Sequence, residues 1–271
     1  MPELPEAETI ARDLDQALRG AVVQSVDVQR ADVLRGTHRS RFAPQIVGTS
    51  IGTVHRRAKS IVIALASEDR IVVTPRFTGA LLIDAPSDDP YRCVLFRLDG
   101  DRSLSYSDVR RLGTVTLLSE SAYDNWSATL GPEPLDPALT AARFAEIIRD
   151  SRRAVKCILM DQRRLAGVGN IYANEVLWRA GIRPARGGKS ITIARCGAML
   201  DHLRSLLSES IALRGTTFRD FRDAYGARGG FAARLEAYGR AGLPCSRCGT
   251  ALTTSHEIDG RQTVWCAACQ S

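Results

Sequence analysis

The sequence has no apolar run of the roughly 20 residues that a membrane-spanning helix needs. Its opening, MPELPEAETI, begins acidic, unlike the basic then apolar start of a secretory signal. A cytoplasmic protein is therefore expected. Internal repeats and low-complexity tracts are also missing, and no basic amphipathic helix stands out. Lysine is scarce: Lys59, Lys156 and Lys189 are the only three among 37 basic residues, and the rest are arginines. Arginine suits bidentate phosphate contacts, although codon usage in a GC-rich genome accounts for the larger share of the bias.

What is present is an ordinary globular composition, 44% apolar and 25% charged, on a chain of 271 residues that can bury one or two cores. The net charge of +7 favours a polyanionic partner, nucleic acid before membrane. Residues 5–19 fit a helix, with Pro5 in its first turn, Ile10, Leu14 and Leu18 four apart, and Gly20 as the stop. From 21 to about 120 short valine- and isoleucine-rich runs follow (AVVQSVDV, SIVIALA, RIVVTP, ALLID, CVLFRL, TVTLL), with a hairpin turn at LDGD, and predict a β-sandwich. A proline-bearing linker is expected at 126–139, then helices near 140–150, 154–163, 170–180 and 191–213. A glycine- and arginine-dense stretch, 214–230, precedes a short helix near 231–238. The predicted organisation is α+β: a sandwich domain over 1–125, a helical domain over 140–240 and a cysteine hairpin over 241–271.

Of seven cysteines, Cys93, Cys157 and Cys196 are isolated and read as buried, inert thiols. Cys245, Cys248, Cys266 and Cys269 form two CxxC pairs 17 residues apart, the pattern of a closed four-thiolate structural zinc site; disulfides are the competing reading. Between the pairs a strand, a turn at Asp259-Gly260 and a second strand are expected, placing Arg261 at or beside the tip. In DQRRLAGVGNIYANEVLWRAG, a helix, a glycine-bearing turn and a second helix follow one another. The second helix starts at Asn170, as a cap or an amide donor to a phosphate, with Lys156 a further positive charge nearby.

Pro2 is small enough for Met1 to be removed, leaving a secondary amine. A terminal amine titrates near pH 8, so much of it is neutral and nucleophilic at physiological pH, and its iminium adduct is an electron sink. Glu3 and Glu6 lie close by as candidate proton carriers. Acids and prolines also favour first helical turns for dipole and dihedral reasons alone.

Taken together, MPELPEAETIARDL, RRAKSIVI, SDVRRLG, LAGVGNIYANE, YGRAGLPC and GRQTVWCAACQ resemble, in order and spacing, the formamidopyrimidine-DNA glycosylase family over nearly the whole chain. The resemblance implies a β-sandwich, a helix–two-turn–helix domain and a zinc hairpin in a monomer bound to double-stranded DNA. It implies excision of oxidised purines such as 8-oxoguanine, followed by β,δ-elimination. In it Pro2 is the Schiff-base nucleophile, Glu3 the main acid–base residue and Lys59 the phosphate contact that assists elimination. Arg261 belongs to the same catalytic set, and Asn170 and Arg261 hold lesion-strand phosphates. Phe77, Arg110 and Leu112 fill the space left by the flipped base. FRDFRDAYGARGGFAARLEAYGR matches the loop that closes over that base. The chain departs from the family pattern at TPRFTG: Thr74 stands for a histidine, Arg76 for a glycine and Phe77 for a methionine, while Val109 and Leu112 replace a proline and a phenylalanine. The alternatives are a preference for oxidised pyrimidines or hydantoins, and a catalytically silent zinc-bearing protein that binds damaged DNA.

Overall fold

The first predicted helix is α1, Leu4–Leu18, in the computed structural model, which describes residues 2–271. Met1, whose removal the sequence reading of Pro2 expects, lies outside the described residues. The apolar period of α1 buries Leu4, Ala7, Ile10, Ala11, Leu14 and Leu18, each no more than 2% exposed, and all but Leu4 join the main core of the unit. The chain divides into two units. Unit 1 contains the residues up to Ala128 and Leu213–Gly230; unit 2 contains Thr129–Ala212 and Phe231–Ser271.

Unit 1 is two sheets around α1. The strands are β1 (Val23–Val28), β2 (Leu34–Arg35), β3 (Ile51–Arg57), β4 (Ser60–Leu65), β5 (Arg70–Thr74), β6 (Gly79–Ile83), β7 (Arg92–Leu98), β8 (Ser103–Asp108) and β9 (Thr114–Leu118). One sheet runs β1-β7-β8-β6 and the other β2-β9-β5-β4-β3. All pairings are antiparallel except β2 with β9. The LDGD turn joins β7 to β8, with Gly100 and Asp101 at positive φ, as a tight hairpin demands. β8 carries Ser105 and Ser107 on alternate positions, so it lacks the apolar signature, yet both are buried. Two helices interrupt the strand pattern. The polar α2, Arg39–Ile46, contains Pro44 but still buries Phe42 and Ile46; α3 spans Glu120–Ala128, so the start of the expected linker is helical.

Unit 2 contains α4 (Ala141–Arg149), α5 (Val155–Met160), α6 (Asn170–Arg179), α7 (Ile193–Ala212) and the hairpin β10 (Thr253–Ser255) and β11 (Thr263–Trp265). The expected helix at 154–163 shortens to α5, because Gln162 spends its side chain on the following turn: it donates to Met160 O and Val168 O and accepts from Gly167 N. The short helix near 231–238 is one 3-10 turn, Phe231–Arg234. Just beyond it, the amides of Glu236, Ala237 and Tyr238 all donate to the fully buried Glu175 of α6, at 2.9, 2.8 and 2.7 Å. That carboxylate fastens the approach to the cysteine hairpin. Among the described residues no helix is long and apolar enough to cross a membrane.

α6 and α7 are joined by a fork-to-fork pair, Arg179 Nη1 and Nη2 to Glu209 Oε1 and Oε2, both at 2.8 Å. The guanidinium holds the Glu209 carboxyl down to about 2, against an ordinary 4.5. A carboxyl lowered in this way stabilises the fold fully above its ordinary value, and that stabilisation is lost as pH falls toward the lowered one. Glu209 is half exposed, so screening reduces the effect to about 1 kcal/mol. Glu209→Gln is expected to lower stability by that amount in urea unfolding at neutral pH, with the gap from the parent closing as pH falls toward roughly 2. A gap of constant size across that range would contradict the pairing.

Candidate active site and nucleic-acid interface

Unit 1 carries Pro2, Glu3, Glu6, Lys59, Phe77, Arg110 and Leu112. Pro2 is buried, and Glu3 and Glu6 are 3% and 1% exposed. The two acids form a reciprocal capping box at the start of α1: Glu3 is the N-cap and its side chain accepts the Glu6 amide, while Glu3 N donates to Glu6 Oε2 at 2.9 Å. Glu6 thereby holds the backbone immediately after Pro2. Its second oxygen, Oε1, accepts Thr216 N at 2.7 Å. Two buried carboxylates thus flank the amino end of a helix that packing holds in place.

Lys59 sits in the two-residue turn between β3 and β4, where Arg57 pairs with Ser60. Ala58, before it, takes φ +54, a strained value for a side-chain-bearing residue. Arg56 supports the turn, its side chain only 7% exposed: Nε meets Glu8 Oε2 at 3.0 Å and Nη1 donates to Ala58 O at 2.9 Å. The turn bearing Lys59 is therefore tied to the first turns of α1. Thr74, where the family pattern has histidine, shares a 2.7 Å hydroxyl–hydroxyl hydrogen bond with Ser60.

Phe77 and Leu112 are 46% and 42% exposed on two neighbouring turns, and the Arg110 guanidinium lies 5.1 Å from the Phe77 ring centroid. Asp108 joins these turns. Fully inside the unit, it accepts from Thr78 Oγ1 at 2.6 Å, Gly113 N at 2.9 Å, Tyr106 Oη at 3.1 Å and Arg110 N at 3.1 Å. Burial pushes its carboxyl up, and these hydrogen bonds outweigh that, leaving it below its ordinary value. The glycines ending the two motifs are required by the same tyrosine: a Cβ on Gly113 would lie 1.9 Å from the Tyr106 hydroxyl, and one on Gly79 2.8 Å. Sequence reading singles out the exposed residues and misses Asp108, whose only signal is its place inside SDVRRLG.

Residues 213–230 pack in unit 1, not with the helical segment they follow in sequence. Phe221 and Ala224 enter the sandwich core, and Ala224 O accepts Ile83 N of β6 at 2.9 Å. The stretch folds back on itself, Gly230 N reaching Leu213 O at 2.8 Å.

In unit 2 Lys156, expected to add a positive charge near the start of α6, lies inside the fold. Its side chain is completely buried, with Nζ donating to Thr263 Oγ1 at 2.8 Å and Gln262 O at 3.2 Å, so it fastens the hairpin and offers no surface charge. Asn170 is not the cap of α6, since Gly169 occupies that position; its Nδ2 donates to Gln262 O at 3.0 Å. Asn174 Oδ1 takes Val264 N at 2.7 Å. Lys156, Asn170 and Asn174 thus seat the hairpin strand against the start of α6, and Arg261, next to Gln262, is exposed at the turn. Asp259 and Gly260 have φ +57 and +70, as the turn reading expects.

Cys245, Cys248, Cys266 and Cys269 bring their Sγ atoms within 4.8 Å of one another, a group that can hold a metal ion. A tetrahedral four-thiolate zinc site has sulfurs about 3.8 Å apart, given Zn–S bonds near 2.3 Å. The donor set and spacing fit that ion.

Two family models match the chain: the formamidopyrimidine-DNA glycosylase N-terminal domain over residues 1–115 and the formamidopyrimidine-DNA glycosylase H2TH domain over 130–222. A formamidopyrimidine-DNA glycosylase of Thermomicrobium roseum is 38% identical, covering all of this chain and 99% of its own; one from Moorella thermoacetica is 39% identical over 93% of each. Among solved structures, the MutM (Fpg) protein from Thermus thermophilus is 34% identical with a TM-score of 0.89, covering 99% of this chain and 98% of its own. A Lactococcus lactis FPG mutant in complex with Fapy-dG-containing DNA is 29% identical with a TM-score of 0.92, covering 100% of each chain. With its capped amino end, its two stitched turns and its four-cysteine hairpin all within matches of this length, the chain belongs to the formamidopyrimidine-DNA glycosylase family.

Proposed function

We propose that the protein is a base-excision DNA glycosylase for oxidised purines that also cleaves the resulting abasic site. The observation that carries this reading is the amino end itself: Pro2 directly precedes a buried helix start whose capping box is made of two buried carboxylates, Glu3 and Glu6. Once Met1 is removed, the Pro2 nitrogen attacks C1′ of the damaged nucleotide. The glycosidic bond breaks, its electron pair leaves with the base, and the proton that the Pro2 nitrogen sheds on attack neutralises that base. Opening of the sugar ring, with Glu3 delivering a proton to O4′, leaves an iminium between C1′ and Pro2. Loss of a C2′ proton then expels the 3′-phosphate, and a second elimination the 5′-phosphate. Lys59 supports the phosphate at this position.

Phe77, Arg110 and Leu112 are the groups we assign to the space vacated by the flipped base, since exposed apolar side chains held on braced turns substitute for lost stacking. Asn170 and Arg261 contact phosphates through the start of α6 and the hairpin turn. The four cysteines hold a structural zinc ion, whose closed thiolate shell stabilises the hairpin and takes no part in the chemistry. A cytoplasmic, monomeric enzyme is the form this reading assumes.

Duplexes carrying a single lesion test it. Release of 8-oxoguanine opposite cytosine, with strand scission leaving phosphate at both ends, is the expected result. Scission of thymine glycol or hydantoin duplexes far faster than of 8-oxoguanine would move the specificity to those lesions, and binding without scission of any would support the silent DNA-binding reading instead. Metal removal by a strong chelator is expected to weaken DNA affinity while the sandwich stays folded by near-ultraviolet circular dichroism. Unchanged affinity after complete metal loss would remove the hairpin from the interface. Affinity for undamaged duplex is expected to fall steeply with salt, because phosphate contacts release counterions; a flat dependence would contradict the charge-based interface.

A further inference from the structure

The amino end is braced from a distance of more than 200 residues. Arg214 lies at the start of the 213–230 stretch at φ +61, with its side chain 44% exposed. It bridges two carboxylates that are almost wholly enclosed: Nη2 meets Asp13 Oδ2 of α1 at 2.6 Å, and Nε meets Asp223 Oδ2 at 2.9 Å. The other oxygen of Asp223 accepts the amides of Tyr225 at 3.0 Å and Ala227 at 2.8 Å, organising the far side of the stretch. One guanidinium thus joins α1 to both arms of this segment. Burying two carboxylates is costly unless a cation offsets it, so the geometry around Arg214 is strongly specified.

Two residues on, Thr216 N donates to Glu6 Oε1 at 2.7 Å, and Glu6 Oε2 accepts Glu3 N at 2.9 Å. Space here is tight. Gly215 takes φ +81, which disfavours a side chain, and a Cβ there would lie 3.0 Å from both Glu6 Cγ and Oε1, so Glu6 would have to give way. The placement of Thr216 is therefore read by the Glu6 carboxylate through this hydrogen bond.

We propose that Arg214 is a positioning residue for the reaction: by locking Asp13 to Asp223 it sets the Thr216 amide against Glu6, and Glu6 in turn sets the backbone of Glu3 beside Pro2. Arg214 touches neither substrate nor nucleophile. Its contribution is to hold the amino end in the reactive arrangement, where a displacement on the order of 1 Å costs about a hundredfold in rate. Asp13 and Asp223 share in this role.

The inference rests on the function proposed above, and the test separates the two. Single-turnover scission rates are measured for the parent, Arg214→Ala and Arg214→Lys on a duplex with 8-oxoguanine and on one with a preformed abasic site. Dissociation constants are measured on a duplex with an uncleavable tetrahydrofuran abasic analogue, and every rate is normalised to the folded fraction from thermal unfolding. A parent that cuts neither duplex defeats the functional reading and this inference with it. With an active parent, Arg214→Ala is expected to lose tenfold to a hundredfold in rate on both duplexes, to bind the analogue within about twofold of the parent, and to recover most of the rate as Arg214→Lys. A normalised rate within twofold of the parent overturns the inference. So does a loss confined to affinity, a loss on the 8-oxoguanine duplex alone, or an Arg214→Lys variant as slow as Arg214→Ala.

Discussion

The burial of α1 is the constraint on which the amino-terminal unit depends. Ala7, Ile10, Ala11, Leu14 and Leu18 all face the core, and each leucine or isoleucine removed from water contributes about 1.5–3 kcal/mol. A helix packed this way cannot slide or rotate by a residue without exposing its apolar face. Its first turn is therefore fixed in space, and so is the capping box of Glu3 and Glu6 that ends it. A chain end, ordinarily mobile, is here led into a helix whose first residues, Leu4 to Ala7, are buried.

The other parts of unit 1 are attached to that frame by charge. Glu8 reaches Arg56 and the turn bearing Lys59, Asp15 takes the Val54 amide at 2.7 Å, and Asp13 reaches Arg214. One face of α1 packs the core while its acids collect the turn, the strand and the 213–230 stretch. Unit 2 uses buried polar groups in the same way. Glu175 fastens the approach to the hairpin, and Lys156 and Asn174 fasten its second strand. These groups fix where the exposed Arg261 stands, which a purely apolar contact would leave to slide.

Much of this is legible in the sequence where the signal is short-range. The four-residue period of Ile10, Leu14 and Leu18, the two CxxC pairs and the Asp259-Gly260 turn each encode their structure within a few residues. What escapes is long-range. Lys156 reads only as a further positive charge near Asn170, because nothing near it in sequence shows that its ammonium will be spent on Gln262 and Thr263. Glu6 looks like an ordinary first-turn acid until Thr216 arrives 210 residues later. The glycine- and arginine-dense stretch 214–230 shows no apolar period, so nothing local in it reveals that Phe221 and Ala224 anchor it in the sandwich. β8 goes unseen because serine carries no apolar pattern even where both faces are covered.

The central claim is that the secondary amine of Pro2 forms the covalent bond to DNA. Borohydride trapping on a duplex containing 8-oxoguanine opposite cytosine, followed by peptide mapping of the cross-link, tests it most directly. The account predicts one adduct, on an amino-terminal peptide that begins with Pro2 and has lost Met1. An adduct on Lys59 or another lysine, or none even with a preformed abasic site, would contradict it.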